Sequence, residues 1–317
     1  MIVTKDLVKK YGNFTAVDRV NLNIPAGEIY GFLGPNGAGK TSTIMMLLGI
    51  IPPTSGEIKL FDEVYTPSRL DLRKRIGVVP EKHPVGMWPW MTAFEYLKFF
   101  ADIFSLKKPD DRIMALLAQV KLDDVAHKRI SEFSRGMLQK LSIVRALLHD
   151  PDILFLDEPI SGLDPIGIKQ VRDLIIAENR EGRTIFISSH LLSEMEKICH
   201  RVAIIFNGKL LAEDKMDALL LKLSKDREIH IDLEEIPDAL VGDIKSLDFV
   251  LDVNKSKNRL VVKVPKEGDY RKAISEFLIK RNLIPLQLKE KSISLEDAFV
   301  TITQENVEML AGVGGNK

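Results

Sequence analysis

Apolar and polar positions along the chain change rhythm several times, and each rhythm predicts a different element. Val20, Leu22 and Ile24 alternate with Asn21 and Asn23, the pattern of a strand with one face buried. Pro25-Ala26-Gly27 turns the chain, and Glu28 to Leu33 reads as a second strand entering a glycine-rich loop. A helix is predicted from about Lys40 to Leu48, stopped by Gly49 and the prolines Pro52-Pro53. Between Glu81 and His149 the spacing turns helical. Met114, Leu117, Ala118 and Lys121 share one helix face there, and Thr92 can cap a helix carrying Phe94, Tyr96, Leu97 and Phe100. Ile153-Leu154-Phe155-Leu156 and Thr184-Ile185-Phe186-Ile187 are continuous short apolar runs, as strands of a parallel sheet buried on both faces require. Val171, Leu174 and Ile175 mark a crossover helix between them, ended at Gly182. Arg201 to Phe206, Asn207-Gly208 and Lys209 to Glu213 predict a hairpin, because Asn-Gly accepts the positive φ angles of a two-residue turn.

After Leu219-Leu220-Leu221 the texture changes again. Glu228 to Leu233 and Arg259 to Val264 alternate like strands, Tyr270 to Lys280 is amphipathic, and Leu286 to Leu288 suggests one more strand. The expected organisation is an α/β domain over residues 1–217 with helices inserted at about 82–150. A small α+β domain of split-βαβ type follows over 225–307, then a flexible tail over 308–317 containing Gly312-Val313-Gly314-Gly315.

Charge adds one exclusion. Lysine plus arginine equals aspartate plus glutamate, 45 against 45, so the chain shows no basic excess of the kind that marks a nucleic-acid partner. The single cysteine, Cys199, rules out an internal disulfide framework, fits a reducing compartment and reads as a small apolar residue on a helix. No run approaches the ~20 apolar residues that cross a bilayer; the longest, Ile44 to Ile51, stops at Pro52. The first residues lack the charged-then-apolar pattern of a signal peptide, so the expected location is the cytoplasm.

Candidate chemistry begins at Gly34-Pro35-Asn36-Gly37-Ala38-Gly39-Lys40-Thr41, a complete G-x-x-x-x-G-K-T phosphate loop between a predicted strand and a predicted helix. Glycines let backbone N–H groups curl around phosphate oxygens, and the helix presents its positive end. Lys40 is placed to neutralise the β- and γ-phosphates, the Thr41 hydroxyl to hold Mg²⁺, and Ser42 to join the nucleotide contacts. Asp157 and Glu158 close the apolar strand Ile153 to Leu156. One carboxylate there can reach the metal while the next polarises an attacking water, although an Asp-Glu pair standing alone would read as a solvated loop. His190 follows Ser188-Ser189 at the end of a parallel strand, the ligand edge of such sheets.

Gly34 to Thr41, Phe133-Ser134-Arg135-Gly136-Met137, Ile153 to Glu158, Ser161-Gly162-Leu163-Asp164 and His190 resemble, in order and spacing, the motifs of ABC transporter ATPase domains. The resemblance covers about residues 1 to 215. It implies a P-loop NTPase core with an antiparallel β subdomain and an inserted helical subdomain, binding ATP and Mg²⁺. Tyr11 is similar to the residue that stacks on adenine, Asp157 to the magnesium-supporting aspartate and Glu158 to the catalytic base. His190 resembles the switch histidine, Asp164 the residue that communicates across the dimer. Ser134 and Gly136 resemble the signature loop, which closes on ATP held by a second copy. Two positions depart: Phe-Ser-Arg-Gly-Met stands for the usual Leu-Ser-Gly-Gly-Gln, and Glu81, a candidate metal ligand, stands for the usual glutamine.

The helical block resembles the subdomain that docks a transmembrane partner. Trp88, Trp90, Phe94, Phe99 and Phe100 either line that groove or fill the helical core, with Trp88 and Trp90 expected to be the exposed pair. The C-terminal domain, with Ser294-Leu295-Glu296-Asp297-Ala298-Phe299, resembles an extension found on ABC ATPases of export systems and carries no catalytic constellation. The implied function is an ATP-hydrolysing subunit of a membrane exporter, on the inner face of the membrane, partnered by separate permease subunits and a second copy of itself. Two other readings stay open. A soluble ABC machine on ribosomes or DNA would carry tandem domains or a long coiled-coil insertion. A binding-only scaffold is disfavoured by the presence of Lys40, Asp157, Glu158 and His190.

Overall fold

The computed structural model describes residues 1–81, 88–223, 226–291 and 294–313, and the chain divides into two compact units, Met1–Lys215 and Met216–Lys317. The first unit holds two sheets. β1 (Ile2–Tyr11), β2 (Phe14–Ile24), β4 (Ser55–Leu60) and β5 (Glu63–Val64) form an antiparallel sheet in the order β2-β1-β4-β5. β3 (Ile29–Leu33), β6 (Ile76–Val79), β7 (Ile153–Asp157), β8 (Thr184–Ser189), β9 (Arg201–Phe206) and β10 (Lys209–Lys215) form the second, in the order β10-β9-β3-β8-β7-β6. Its strands run parallel except β10, which returns from β9 through Asn207 and Gly208 at φ 47° and 78°.

β3, β7 and β8 are buried along their whole length, which explains their continuous apolar runs. One apolar cluster joins the sheets: Leu7, Val20 and Leu22 of the first meet Phe32, Phe155 and Phe186 of the second, together with Ile44 and Leu47. Phe186 stands at the centre, with Tyr30, Phe32 and Phe155 at ring distances of 5.4 to 5.7 Å. Each such buried ring contributes about 1.5–3 kcal/mol, enough to hold the strand ends in fixed register.

α1 (Lys40–Leu47) follows β3, α2 (Leu70–Arg73) precedes β6, and α6 (Pro165–Arg180) and α7 (Leu192–Met195) flank β8. Gly182 ends the crossover α6 with φ 95°. The inserted helices are α3 (Ala93–Ile103), α4 (Pro109–Gln119) and α5 (Arg135–Leu147). Thr92 starts α3 with a reciprocal capping box: its hydroxyl accepts from the Glu95 N–H, and the Glu95 carboxylate accepts from the Thr92 N–H. The expected start of the helical block at residue 82 lies outside the described residues. The expectation for the tryptophans is corrected for one of them. Trp90 is 65% exposed, whereas Trp88 is partly buried because its ring packs on Tyr96, Phe99 and Phe100 at 5.8, 6.2 and 6.3 Å.

The second unit contains α8 (Met216–Leu223), β11 (Asp226–Asp232), α9 (Asp238–Lys245), β12 (Asp252–Ser256), β13 (Arg259–Pro265), α10 (Arg271–Ile279), β14 (Gln287–Lys291) and α11 (Leu295–Val313). The antiparallel order β12-β13-β11-β14, with α9 and α10 as the two crossings, is the split-βαβ arrangement. Ile229, Ile231, Leu260, Val262, Ile274 and Leu278 fill its core. Residues 308–313 of the expected tail lie within α11, and 314–317 fall outside the described residues.

Candidate nucleotide site

The site is assembled at the C-terminal ends of β3, β7 and β8, next to the loop that joins β3 to α1. That loop passes close to other backbone. A side chain at Gly34 would overlap the Ile205 carbonyl, and one at Gly39, where φ is 107°, would overlap the Ala16 carbonyl. Glycine therefore satisfies both the left-handed turn and the tight approach. Gly37 also turns left-handed, at φ 80°, but toward open space. The buried Lys40 ammonium donates to the carbonyls of Gly34 (2.7 Å) and Pro35 (3.2 Å) and lies 4.0 Å from Glu158 Oε1. Burial lowers its pKa, and the nearby carboxylates of Glu158, Asp157 and Glu81 act in the opposite sense.

Parallel pairing of β7 with β8 puts Asp157 opposite Ser188. The buried Ser188 hydroxyl donates to Asp157 Oδ1. Burial raises the Asp157 pKa; the Ser188 hydrogen bond opposes that, Glu81 and Glu158 add to it, and Lys40 opposes it. Immediately after the strand, Glu158 adopts φ 50°, a left-handed conformation that costs a non-glycine residue about 1–2 kcal/mol. Its N–H donates to the Ser188 carbonyl at 3.0 Å. Its carboxylate is hydrogen-bonded to His190 Nδ1 at 2.8 Å and lies 3.5 Å from the Ser189 hydroxyl. Strain of this kind persists where the surroundings over-determine it, and here a lysine, a histidine and a serine converge on one carboxylate.

A pocket of about 370 Å³ opens over these groups. Tyr11, Phe14 and Ala16 line one end. Asn36, Gly37, Gly39, Lys40, Thr41 and Ser42 form the phosphate loop and first helical turn, and Glu81, Asp157 and Glu158 supply the carboxylates. Aromatic rings at one end and a lysine with backbone N–H groups at the other suit a ligand with a flat ring and a polyphosphate tail. A larger cavity, about 680 Å³ between α4, α5 and α6, shares no lining residue with the phosphate loop.

The ABC transporter family profile matches residues 17–161. The bacitracin transport ATP-binding protein BcrA of Bacillus licheniformis is 39% identical over 303 residues, which is 95% of this chain and 97% of that protein. This chain belongs to the ABC transporter ATP-binding proteins. The lantibiotic transport ATP-binding protein SrtF of Streptococcus pyogenes is 38% identical over 217 residues, 68% of this chain and 92% of SrtF. A solved dimeric ATP-binding cassette, in a post-hydrolysis state bound to ADP and phosphate, is similar with a TM-score of 0.61 and 26% identity, over 68% of this chain and 99% of its own. The chain is accordingly an ABC ATPase, an ATP-binding and ATP-hydrolysing subunit of a transporter.

Within this ABC ATPase, other residues singled out in the sequence lie around the pocket or away from it. Gly34 and Pro35 face Lys40 with their carbonyls, and Ala38 packs into the apolar cluster. His190 is joined to the site through Glu158. Ser134, Gly136 and Asp164 are outside the pocket. The Ser134 hydroxyl accepts from the Met137 N–H (3.3 Å) to cap α5, and Asp164 accepts from the Gly167 N–H (2.7 Å) to cap α6. These two capped ends are neighbours: Gly136 approaches Leu163, and the Arg135 guanidinium occupies the space over Gly162. Phe14, Ala16, Ser188 and Ser189 are site residues that the sequence reading passed over. Phe14 had a signal, because Tyr11 and Phe14 flank Gly12-Asn13, a two-residue hairpin turn that pairs them.

Proposed function

We propose that this ABC ATPase powers a separately encoded transmembrane permease on the inner face of the cell membrane, working as one of two copies that close on two ATP molecules. The observation that supports this best is the convergence of Lys40, Asp157, Glu158 and Glu81 on one pocket beside Tyr11 and Phe14. Ring stacking on Tyr11 would hold adenine, and the Gly34–Gly39 backbone with Lys40 would hold the β- and γ-phosphates. Thr41, Asp157 and Glu81 offer only hard oxygen donors, which fits Mg²⁺. When bound, that ion neutralises charge developing on the phosphate oxygens. Glu158 accepts the proton of the water that attacks the γ-phosphorus, and the ADP oxygen leaves with the pair of electrons from the broken P–O bond. His190, held on the Glu158 carboxylate, would meet the γ-phosphate and report its presence.

Ser134 and Gly136, at the start of α5, and Asp164, at the start of α6, lie outside their own chain's pocket, as the reading of a shared, two-copy site requires. ATP would then form part of the interface, so its binding favours closure and its hydrolysis releases it. Among the described residues no helix is long and apolar enough to cross a membrane, so the substrate path belongs to the permease. Exposed Trp90, in the turn before α3, and Phe99, on α3, suit its docking. The named relatives serve bacitracin and lantibiotic transport, which favours export of compounds of that kind as the task of the whole assembly. The domain limits 1–217 and 225–307 divide the labour, with chemistry in the first and a packing or regulatory role in the second.

Affinity capture of the tagged chain from detergent-solubilised native membranes tests the partner. Recovery of a multi-span protein in near-equal amount is expected. Recovery of ribosomal or DNA-bound proteins, with no membrane protein, would overturn the transporter assignment.

A further inference from the structure

Asp157 and Glu158 are adjacent carboxylates with different proposed tasks, and adjacency alone gives no reason why they should not exchange them. Each, however, has its own serine. β8 runs beside β7 and ends in Ser188-Ser189, both fully buried. The Ser188 side chain donates to Asp157 Oδ1, while its carbonyl takes the Glu158 N–H at 3.0 Å. The Ser189 side chain points the other way along the site. Its oxygen accepts the Leu191 N–H at 3.0 Å, which fixes the hydroxyl in a tight turn, and it reaches Glu158 Oε2 at 3.5 Å. His190 holds the same oxygen at 2.8 Å, leaving Oε1 toward Lys40.

We infer that Ser188 and Ser189 are positioning residues that assign the two carboxylates to separate roles: Ser188 orients Asp157 toward the metal, and Ser189 orients Glu158 toward water. Ser188 occupies one Asp157 oxygen from within the sheet, so the other is the one presented to the pocket. A hydroxyl in a fixed strand does this with little loss of entropy, since the serine has one rotor and no exposed surface. Ser189 cannot substitute for it, because alternate residues of a strand face opposite sides. The reversal of Glu158 into left-handed backbone brings its carboxylate to the Ser189 side. The inference rests on the proposed roles of Asp157 and Glu158.

The test is a comparison of Ser188→Ala and Ser189→Ala in the full-length protein, with Asp157→Asn as reference. Mg²⁺ affinity is read by calorimetric titration into the ADP complex, and kcat is read separately at saturating Mg²⁺. ADP binding in EDTA serves as the folding check. Ser188→Ala is expected to weaken Mg²⁺ binding about 10-fold, as loss of an outer-shell partner does, with kcat largely recovered at high Mg²⁺. Ser188→Thr, which keeps the hydroxyl, should restore the affinity. Ser189→Ala is expected to lower kcat about 10-fold with Mg²⁺ affinity unchanged. If both variants move both parameters together, or if Ser188→Ala binds Mg²⁺ like the parent while Asp157→Asn does not, the assignment of the serines is wrong. If Asp157→Asn also binds Mg²⁺ normally, it is the metal role of Asp157 that fails.

Discussion

At Glu158 the backbone turns left-handed while three side chains hold the carboxylate, and that combination is invisible in the letters Asp157-Glu158. The acid pair, Lys40 and Thr41 were legible because phosphate chemistry demands those residue types at fixed spacing. The serines were not, since their part depends on which strand lies beside which. Glu81 is the residue where chemistry and charge pull apart. It borders the same pocket as Asp157 and Glu158 and acts on Lys40 alongside both, so it adds a third negative charge where phosphate must enter. Glu81→Gln is therefore expected to tighten Mg²⁺-free ATP binding by a few-fold, on the scale of one partly screened charge pair. The Mg²⁺ needed for half-maximal hydrolysis should rise in the same variant. Nucleotide-binding titrations with and without metal check both; weaker Mg²⁺-free binding would show that Glu81 supports the site in another way.

Among the elements, those with a strong period or a clear terminal signal were readable. Thr92 announced α3, Gly182 closed α6, and Asn207-Gly208 turned β9 into β10. β12, Asp-Val-Asn-Lys-Ser, escaped because only Val253 of its residues is buried, so no alternation marks it. α9 escaped too, its eight residues burying only Leu240 and Ile244. Trp88 departs from its expected exposure because a cluster of rings draws it in. The capping box gives an element-scale prediction. Thr92→Ala removes one half of it and should cost about 1 kcal/mol locally. Amides in the first turns of α3 are expected to exchange about 5-fold faster, with α1 unchanged. Exchange that rises equally across the first unit, or not at all, would show that the box does not anchor the helix.

For the molecule as a whole, motif order along the chain was enough to place it among ABC ATPases, and the buried parallel sheet follows from runs such as Ile153 to Leu156. The strand order β10-β9-β3-β8-β7-β6 was not deducible. It is this order that brings Asp157 beside Ser188 and sets β8 between β3 and β7. In the second unit β11 and β13 were readable from their alternation, because their inward positions must fill one small core. What no single chain displays is the pairing that would complete the nucleotide site. Glu158→Gln keeps the shape of the side chain and removes its capacity to take a proton, so a closed pair should accumulate in this variant. The most direct measurement is its sedimentation with no nucleotide, with ADP and with ATP plus Mg²⁺, alongside its hydrolysis rate. The account predicts a dimer only with ATP plus Mg²⁺ and hydrolysis lowered ~10²–10⁴-fold. A species whose size ignores the nucleotide, or a variant that still turns over like the parent, would contradict it.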